Sequence, residues 1–478
     1  MMQMPAALAR SPRSTMIGLV AGAILFVGSA EAKTVGAQAK TVGPWVQLIG
    51  RNGEASIRLI TDADKCPELT VQGSPRQMAV RAEPEQVSDR KGFPVRVCEA
   101  VVPATTTDVR LDGKKLDNLP RADVRRVVVI GDTGCRYTAD RNQHCKTKWP
   151  YADLANRAAA ADPDLVIHVG DYLYREKPCS KKDKTCQSGL GWDGWNADFF
   201  SPSKELFEKA PWVMVRGNHE TCKRAGEGWF RFLDHAPRSP KCAPLSDFFV
   251  VAAGGLGLAV LDSAIVASVK DAGTSVVVAH DTCVKPAVAA AGEGTIAAPD
   301  TDDDEAANAV PKGVTAADLQ DRYNRIAPEI PPNANFWLLS HVSFNAVRCV
   351  GGKTAVDNTL QQQALGGLLS SSIQMIVSGH IHMFEALSFD KDMPPQLIVG
   401  TGGTKLAKQP GNPTKIGGTT VTSSVIEQQF AYMVWERDGQ DRAKWHGTAF
   451  GQDGTAIALC PSQGTRLELQ GRQLKCED

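Results

Sequence analysis

The rhythm of apolar and polar positions changes once along the chain. From residue 33 to about 122, apolar and polar residues alternate over short spans: Trp45-Val46-Gln47-Leu48-Ile49, Ala55-Ser56-Ile57-Arg58-Leu59-Ile60, Pro94-Val95-Arg96-Val97 and Asp108-Val109-Arg110-Leu111. Turn residues separate the spans and no helical period competes with them. They predict a small all-β, sandwich-like domain that carries no cluster of ligands or bases and reads as scaffolding. From Arg126 strands alternate with helices. Apolar strands are predicted over Val127–Ile130, Asp164–Val169, Trp212–Val215, Leu256–Leu261, Phe336–Leu339, Ile373–Val377 and Gln396–Val399. Between them, Tyr151–Ala161 is alanine-rich and helical, and Ser201-Pro202 reads as N-cap and first turn of a helix through Ala210. Thr315-Ala316-Ala317-Asp318 has the form of a capping box opening a helix to about Ile326, and Asp357–Leu369 is a further helix. This interleaving predicts an α/β domain, residues 123–478 with its core at 126–405, whose sheet is buried between helix layers. Beyond Glu427 the β pattern returns, so 428–478 is a C-terminal β extension.

The N-terminus reads as a targeting segment. Arg10 and Arg13 precede an apolar run from Met16 to Val27, and Gly28-Ser29-Ala30-Glu31-Ala32 has the form of a small-x-small cleavage site. Residues 1–32 are therefore expected to be a signal peptide cut after Ala32, an uncleaved anchor being the alternative. No other window is apolar enough to span a bilayer. An export signal gives the twelve cysteines a meaning, namely disulfides in a periplasmic or extracellular protein. Pairing each with its neighbour joins Cys66/Cys98, Cys135/Cys145, Cys179/Cys186, Cys222/Cys242, Cys283/Cys349 and Cys460/Cys476. That is one choice among about ten thousand connectivities. The rival, a structural zinc site, lacks any Cys-x-x-Cys. With 53 basic and 53 acidic residues, the net charge of zero recommends neither a nucleic acid nor an anionic membrane as partner. Residues 284–312 form a predicted surface insertion; its acidic run (Asp300, Asp302, Asp303, Asp304, Glu305) reads as a solvated loop, with calcium binding as the alternative.

Five of the predicted strands end alike. Val127-Val128-Val129-Ile130 runs into Gly131-Asp132-Thr133-Gly134, and Leu165–Val169 into Gly170-Asp171-Tyr172-Leu173-Tyr174. Trp212–Val215 leads through Arg216 into Gly217-Asn218-His219-Glu220, Trp337–Ser340 into His341, and Ile373–Val377 into Ser378-Gly379-His380-Ile381-His382. In open α/β sheets, groups at the carboxyl ends of strands line one crevice. A glycine just before each ligand allows a sharp turn and close packing. The set is Asp132, Asp171, Tyr174, Asn218, His341, His380 and His382, too many ligands for one ion and suited to two that share a bridge. Oxygen and nitrogen donors of this kind suit zinc, iron or manganese. Taken singly, the aspartates and Asn218 can be turn residues and Tyr174 a core aromatic. His168 lies mid-strand and reads as packed, and His144, His235, His280 and His446 lack a comparable context.

The ordered motifs Gly-Asp-x-Gly, Gly-Asp-x-x-Tyr, Gly-Asn-His-Glu, x-x-x-His and Gly-His-x-His resemble those of the calcineurin-like metallophosphoesterases. The tyrosine of the second makes the chain look most like the purple acid phosphatase branch. The resemblance covers roughly residues 126–405 and implies a four-layer αββα sandwich behind the N-terminal β domain. It implies a first metal site of Asp132, Asp171, Tyr174 and His382 and a second of Asp171, Asn218, His341 and His380, with Asp171 bridging. His219 would face the substrate. Gly134 stands where many superfamily members have a histidine, as in the purple acid phosphatase pattern. Cys135, Cys222 and the 284–312 insertion depart from it. The implied activity is hydrolysis of a phosphorylated small molecule, a phosphate monoester, by water activated between two metal ions, iron with zinc, manganese or a second iron. Phosphodiester or nucleotide hydrolysis is the alternative, and a non-catalytic metal- or phosphate-binding envelope protein the reading from another class.

Overall fold

The strand Arg126–Ile130 shows how the layers arise. Its side chains alternate between two faces. Val127 and Val129 enter a core shared by two sheets, whereas Val128 and Ile130 cluster with Tyr151, Leu154 and Phe199 beneath helices. Burial on both faces is why the strand reads as an unbroken apolar run. The computed structural model describes residues 40–85, 92–137, 142–177, 187–236, 242–266, 276–278, 283, 315–332, 334–357, 359–365, 371–390 and 392–477. The expected signal segment, the 284–312 insertion, the pair Cys179/Cys186 and His280 lie outside the described residues.

Among the described residues the first sheet has eleven strands. From one edge they are Gln473–Cys476, Arg466–Gln470, Lys444–Gly451, Ala431–Arg437, Arg126–Ile130, Leu165–His168, Trp212–Met214, Thr41–Leu48, Ala55–Thr61, Arg96–Val102 and Ala79–Ala82. The second sheet runs Phe249–Ala253, Leu256–Leu261, Phe336–Ser340, Ile373–Ser378, Gln396–Val399, Phe384–Phe389, Thr419–Glu427, Pro413–Ile416 and Val276–Val278. Leu165, Ile167 and Val213 of the first sheet and Leu258, Val260, Trp337, Leu339 and Met375 of the second belong to one central core. On the far side of the second sheet, Ala259, Leu261, Leu338 and Ile376 pack with Leu319, Tyr323 and Ile326 of the helix Ala316–Ile326. The result is a four-layer αββα sandwich. The Thr315 side chain accepts from the Asp318 N–H and closes the expected capping box at the start of that helix.

The N-terminal strand-rich region is continuous with the first sheet. Thr41–Leu48 pairs in parallel with Trp212–Met214, Gln47 opposite Trp212. A separate four-stranded sheet (Ser74–Gln77, Glu68–Val71, Val109–Leu111, Lys114–Lys115) covers it, with Leu69 and Val109 in the central core. Five of the sequence-neighbour disulfides are present: Cys66–Cys98, Cys135–Cys145, Cys222–Cys242, Cys283–Cys349 and Cys460–Cys476. No helix of the described residues is long and apolar enough to cross a membrane.

One helix start differs from expectation. Helix begins at Trp192, widens to a π turn over Asn196–Phe200 and continues toward Lys204–Phe207, so Ser201 sits inside it with helical φ −61° and ψ −50°. Trp195, Phe199 and Phe200 are fully buried. Burying these aromatics outweighs the weaker Ser-Pro capping signal, which offered only one helix-start bond.

Candidate metal centre

The parallel strands of both sheets deliver their carboxyl ends to one place. There the backbone turns at the candidate ligands themselves: Asp132, Asp171 and His380 have φ of 55°, 59° and 71°. This left-handed region costs a non-glycine residue roughly 1–3 kcal/mol and is tolerated where surrounding structure enforces it. The sequence pattern places the turn on the preceding glycine instead. Of those glycines Gly170 has a positive φ, 102°. Gly217 serves close approach, since a Cβ there would lie 2.0 Å from Asp171 Oδ1.

Around Tyr174 the contacts are short of protons. Its hydroxyl lies 3.1 Å from Asp132 Oδ1, 2.7 Å from Asp171 Oδ2 and 2.8 Å from His382 Nε2. One phenolic proton cannot bridge all three. A few ångströms away His341 Nδ1 meets the Val169 carbonyl at 2.8 Å, which places a proton on Nδ1. Its Nε2 then faces Asn218 Oδ1 at 2.9 Å and Asp171 Oδ2 at 3.2 Å, and His380 Nδ1 meets the same Asn218 oxygen at 3.0 Å. In the neutral ring, the bare His341 Nε2 thus meets two acceptor oxygens. A second proton on His341 is one relief: burial opposes it, but Asp171, Asp132 and the Val169 carbonyl together outweigh burial and raise the imidazole to about 10. A cation is the other relief, and the donor set suits one.

The groups also pull on each other. Burial pushes the Asp132 carboxyl up to about 8, with His341 opposing and Asp171 adding to the push. Burial works against ionised Asp171 too, yet His341 and His219 prevail and hold it well below the usual carboxylate range. Two sets bring their ligand atoms within 4.8 Å of one another: Asp171, His341 and His380, and Asp132, Asp171 and His382. They share Asp171. Tyr174 joins one set and Asn218 the other through the contacts above, so all seven anticipated ligands lie together.

His219 belongs to neither set. Its Nδ1 meets Glu176 Oε1 at 2.8 Å, its Nε2 lies 3.9 Å from Asp171 Oδ2, and its ring packs 3.8 Å from that of Tyr174. Glu176 and Arg224 were not foreseen as site residues; only their nearness to Tyr174 and His219 in sequence hinted at them. Glu220 closes the Gly-Asn-His-Glu motif. Its Oε1 accepts from the N–H of Tyr172 (2.9 Å) and Leu173 (3.3 Å), its Oε2 from those of Asp171 and Gly217 (3.1 Å each). It thus ties two ligand loops together. Behind His380, Asp357 Oδ1 lies 3.7 Å from Nε2, the ring nitrogen turned away from Asn218. His168 is buried, 4.0 Å from the Tyr172 ring and bonded to Thr133, and burial holds it well below its ordinary pKa. His446 forms a third set with Glu468 and Glu477, but Lys444, Lys475 and Arg466 pair with those carboxylates and make it an ion-pair network.

The sequence model of the calcineurin-like phosphoesterases matches residues 125–384, more than half of the chain. The protein belongs to that family. Membership in a phosphoesterase family with this fold implies a dinuclear metal centre, and the two sets joined at Asp171 are where the described residues offer one. A purple acid phosphatase from seeds of yellow lupin (Lupinus luteus) is similar in structure with a TM-score of 0.56 at 12% identity, over 90% of this chain and 74% of that one. At that identity the likeness is one of fold. Also similar are GAP50, the anchor in the inner membrane complex of Plasmodium (TM-score 0.40, 11% identity, 73% of this chain and 89% of that one), and a dimetal phosphatase from Danio rerio (0.39, 12%, 73% and 99%). No curated protein matches the sequence.

Proposed function

We propose that this phosphoesterase is an exported enzyme that hydrolyses phosphate monoesters of small molecules at a dinuclear metal centre, in the manner of an acid phosphatase. One observation carries the reading. Two ligand sets share Asp171, and His219 faces that carboxylate from outside both. Asp132, Asp171, Tyr174 and His382 would hold one ion, and Asp171, Asn218, His341 and His380 the other. Bound there, two ions would lower the pKa of a shared water and neutralise charge on the phosphoryl oxygens. The Tyr174 phenol suits ferric iron, with zinc, manganese or iron beside it.

The chain supplies the rest. His219 Nδ1 lies between Glu176 Oε1 (2.8 Å) and Arg224 Nη2 (2.5 Å), contacts that hold the ring with Nε2 on the side of Asp171. With a second proton, on Nε2, the ring would be an imidazolium that can protonate the leaving oxygen or stabilise charge that develops on it. The N-terminal region, residues 33–122 in our division, acts as a buttress. Arg58 donates to the carbonyls of Phe232 (2.7 Å) and Asp234 (2.9 Å), and Arg81 to that of Arg231 (3.0 Å), at the end of the helix Gly226–Phe232 that follows the His219 loop. Export is supported by the composition of residues 1–32 and by five disulfides.

The test is turnover of a chromogenic monoester and a diester by the purified, metal-loaded protein beside Asn218→Ala. The monoester should be the better substrate, and the variant should lose activity together with an ion. Wild type that carries two ions and turns over neither ester would leave the non-catalytic binding protein as the better account.

A further inference from the structure

Arg224 lies five residues beyond His219 and is 8% exposed. Its Nε donates to Glu176 Oε1 at 2.7 Å, and its Nη2 lies 2.5 Å from the same oxygen and 2.5 and 2.9 Å from His219 Nδ1 and Nε2. The remaining nitrogen, Nη1, is buried and has no hydrogen-bond partner among the described residues. Buried polar groups in folded proteins are almost always paired, and one left open beside a reaction centre calls for a ligand to meet it. Arg224 is beside such a centre: the same His219 Nε2 is 3.9 Å from Asp171 Oδ2. The backbone that carries the guanidinium is also held. The Arg224 N–H donates to the Thr221 carbonyl at 2.9 Å, the next N–H to the His219 carbonyl at 2.9 Å, and Cys222–Cys242 fastens the loop between.

We propose that Arg224 contacts the substrate, its Nη1 donating to a phosphoryl oxygen, and that this contact sets a preference for monoesters over diesters. The proposal rests on the phosphoesterase reading and deepens it by naming what selects the substrate class. A phosphate monoester carries three non-bridging oxygens and close to two negative charges near neutral pH, a diester only two oxygens and one charge. Guanidinium is a strong partner for phosphate oxygen, and a fixed donor away from water meets the additional anionic oxygen that a diester lacks. Glu176 Oε1 meets Arg224 Nε, Arg224 Nη2 and His219 Nδ1, and Nη1 finds no acceptor among the described residues.

The experiment measures binding of inorganic phosphate to the metal-loaded full chain by calorimetry, and kcat/KM for an aryl monoester and its diester. Wild type, Arg224→Gln and Arg224→Lys are compared, with metal content determined in parallel. Losing a charged hydrogen bond should weaken phosphate by about 10-fold or more and lower monoester kcat/KM by a similar factor in Arg224→Gln. Diester turnover should fall by less than about 3-fold, so that the monoester-to-diester ratio drops, with both ions retained; Arg224→Lys should recover part of the loss. Arg224→Lys keeps the charge, so it remains informative should Arg224→Gln fail to fold. Unchanged phosphate affinity in folded variants would overturn the proposal while sparing the phosphoesterase reading, and so would an equal loss for both esters. Wild type that holds two ions and binds no phosphate would overturn both.

Discussion

Replacing Glu220 by glutamine tests whether the two ligand loops stand as one unit. The wild-type carboxyl takes two backbone N–H groups on each oxygen, those of Tyr172 and Leu173 on one and those of Asp171 and Gly217 on the other. Glutamine keeps one acceptor oxygen. Its amide NH2 then faces the other two N–H groups, donor against donor, in a site with no exposure. At about 1–3 kcal/mol for each buried donor left without an acceptor, the two stranded groups cost roughly 2–6 kcal/mol. That is a large share of an ordinary domain's stability of about 5–15 kcal/mol. Burial and the charge on Asp171 push the Glu220 carboxyl up to about 8, so the comparison belongs above that pH, where both oxygens accept. The assay is urea denaturation of wild type and Glu220→Gln, with and without added metal. Because the stranded groups belong to Asp171 and Gly217 or to their neighbours, metal should bind the variant more weakly as well. A variant within about 1 kcal/mol of wild type and with unaltered metal affinity would show that Glu220 does not hold the loops together.

Other perturbations separate the remaining parts. Asp171→Asn removes the charge both ligand sets share, so metal analysis should find at least one ion lost per chain; two ions retained would count against a bridge. If Tyr174 meets ferric iron, the oxidised protein absorbs visible light and Tyr174→Phe bleaches it, whereas a colourless, active, zinc-loaded wild type defeats the ferric assignment alone. Burial, with Asp357 adding to it, holds the Glu385 carboxyl well above its ordinary value. A carboxyl raised on folding makes the unfolded chain release its proton first, so stability falls with rising pH from the unfolded value near 4.3 toward the folded one, by at most about 1.4 kcal/mol per unit. Glu385→Gln should flatten that slope in urea midpoints taken across the window, and an unchanged slope would refute it. Mild reduction should lower activity and metal retention before the fold is lost, since Cys135–Cys145 and Cys222–Cys242 fasten the loops after Asp132 and His219; activity that survives full reduction of both would count against it.

What could be read from the sequence was local. Val127–Ile130 and Leu165–Val169 announce buried strands because both faces are apolar, and the Gly-Asp after each marks where the chain must turn in little space. Thr315 and Asp318 announce a helix start through a bond between near neighbours, and the cysteines that closed were nearest neighbours in sequence. What escaped depends on contacts between distant segments. Nothing in Thr41–Leu48 says that it will lie along Trp212–Met214, so the first sheet's extension across the N-terminal region was not legible. Glu176 and Arg224 acquire a role only when the fold sets them against His219. The turn at Asp132, Asp171 and His380 was assigned to the glycines before them, because a residue with a side chain is a poor prior for the left-handed region. The π turn at Asn196–Phe200 escaped because three buried aromatics overrode a capping signal at Ser201.

The most direct test of the account is a leaving-group series on His219→Ala and His341→Ala, with metal content measured on the same samples. His219 lies outside both ligand sets, so its loss should leave both ions bound and lower kcat by roughly 10²–10⁴-fold. If it protonates the leaving oxygen, the loss grows as the leaving group becomes more alkyl-like, and equal slopes against leaving-group pKa would leave charge stabilisation as its role. His341→Ala should lose metal and activity together whatever the leaving group. A His219→Ala protein that sheds an ion, or keeps wild-type kcat with both ions in place, would contradict the assignment of His219 to the substrate side of a dinuclear phosphoesterase centre.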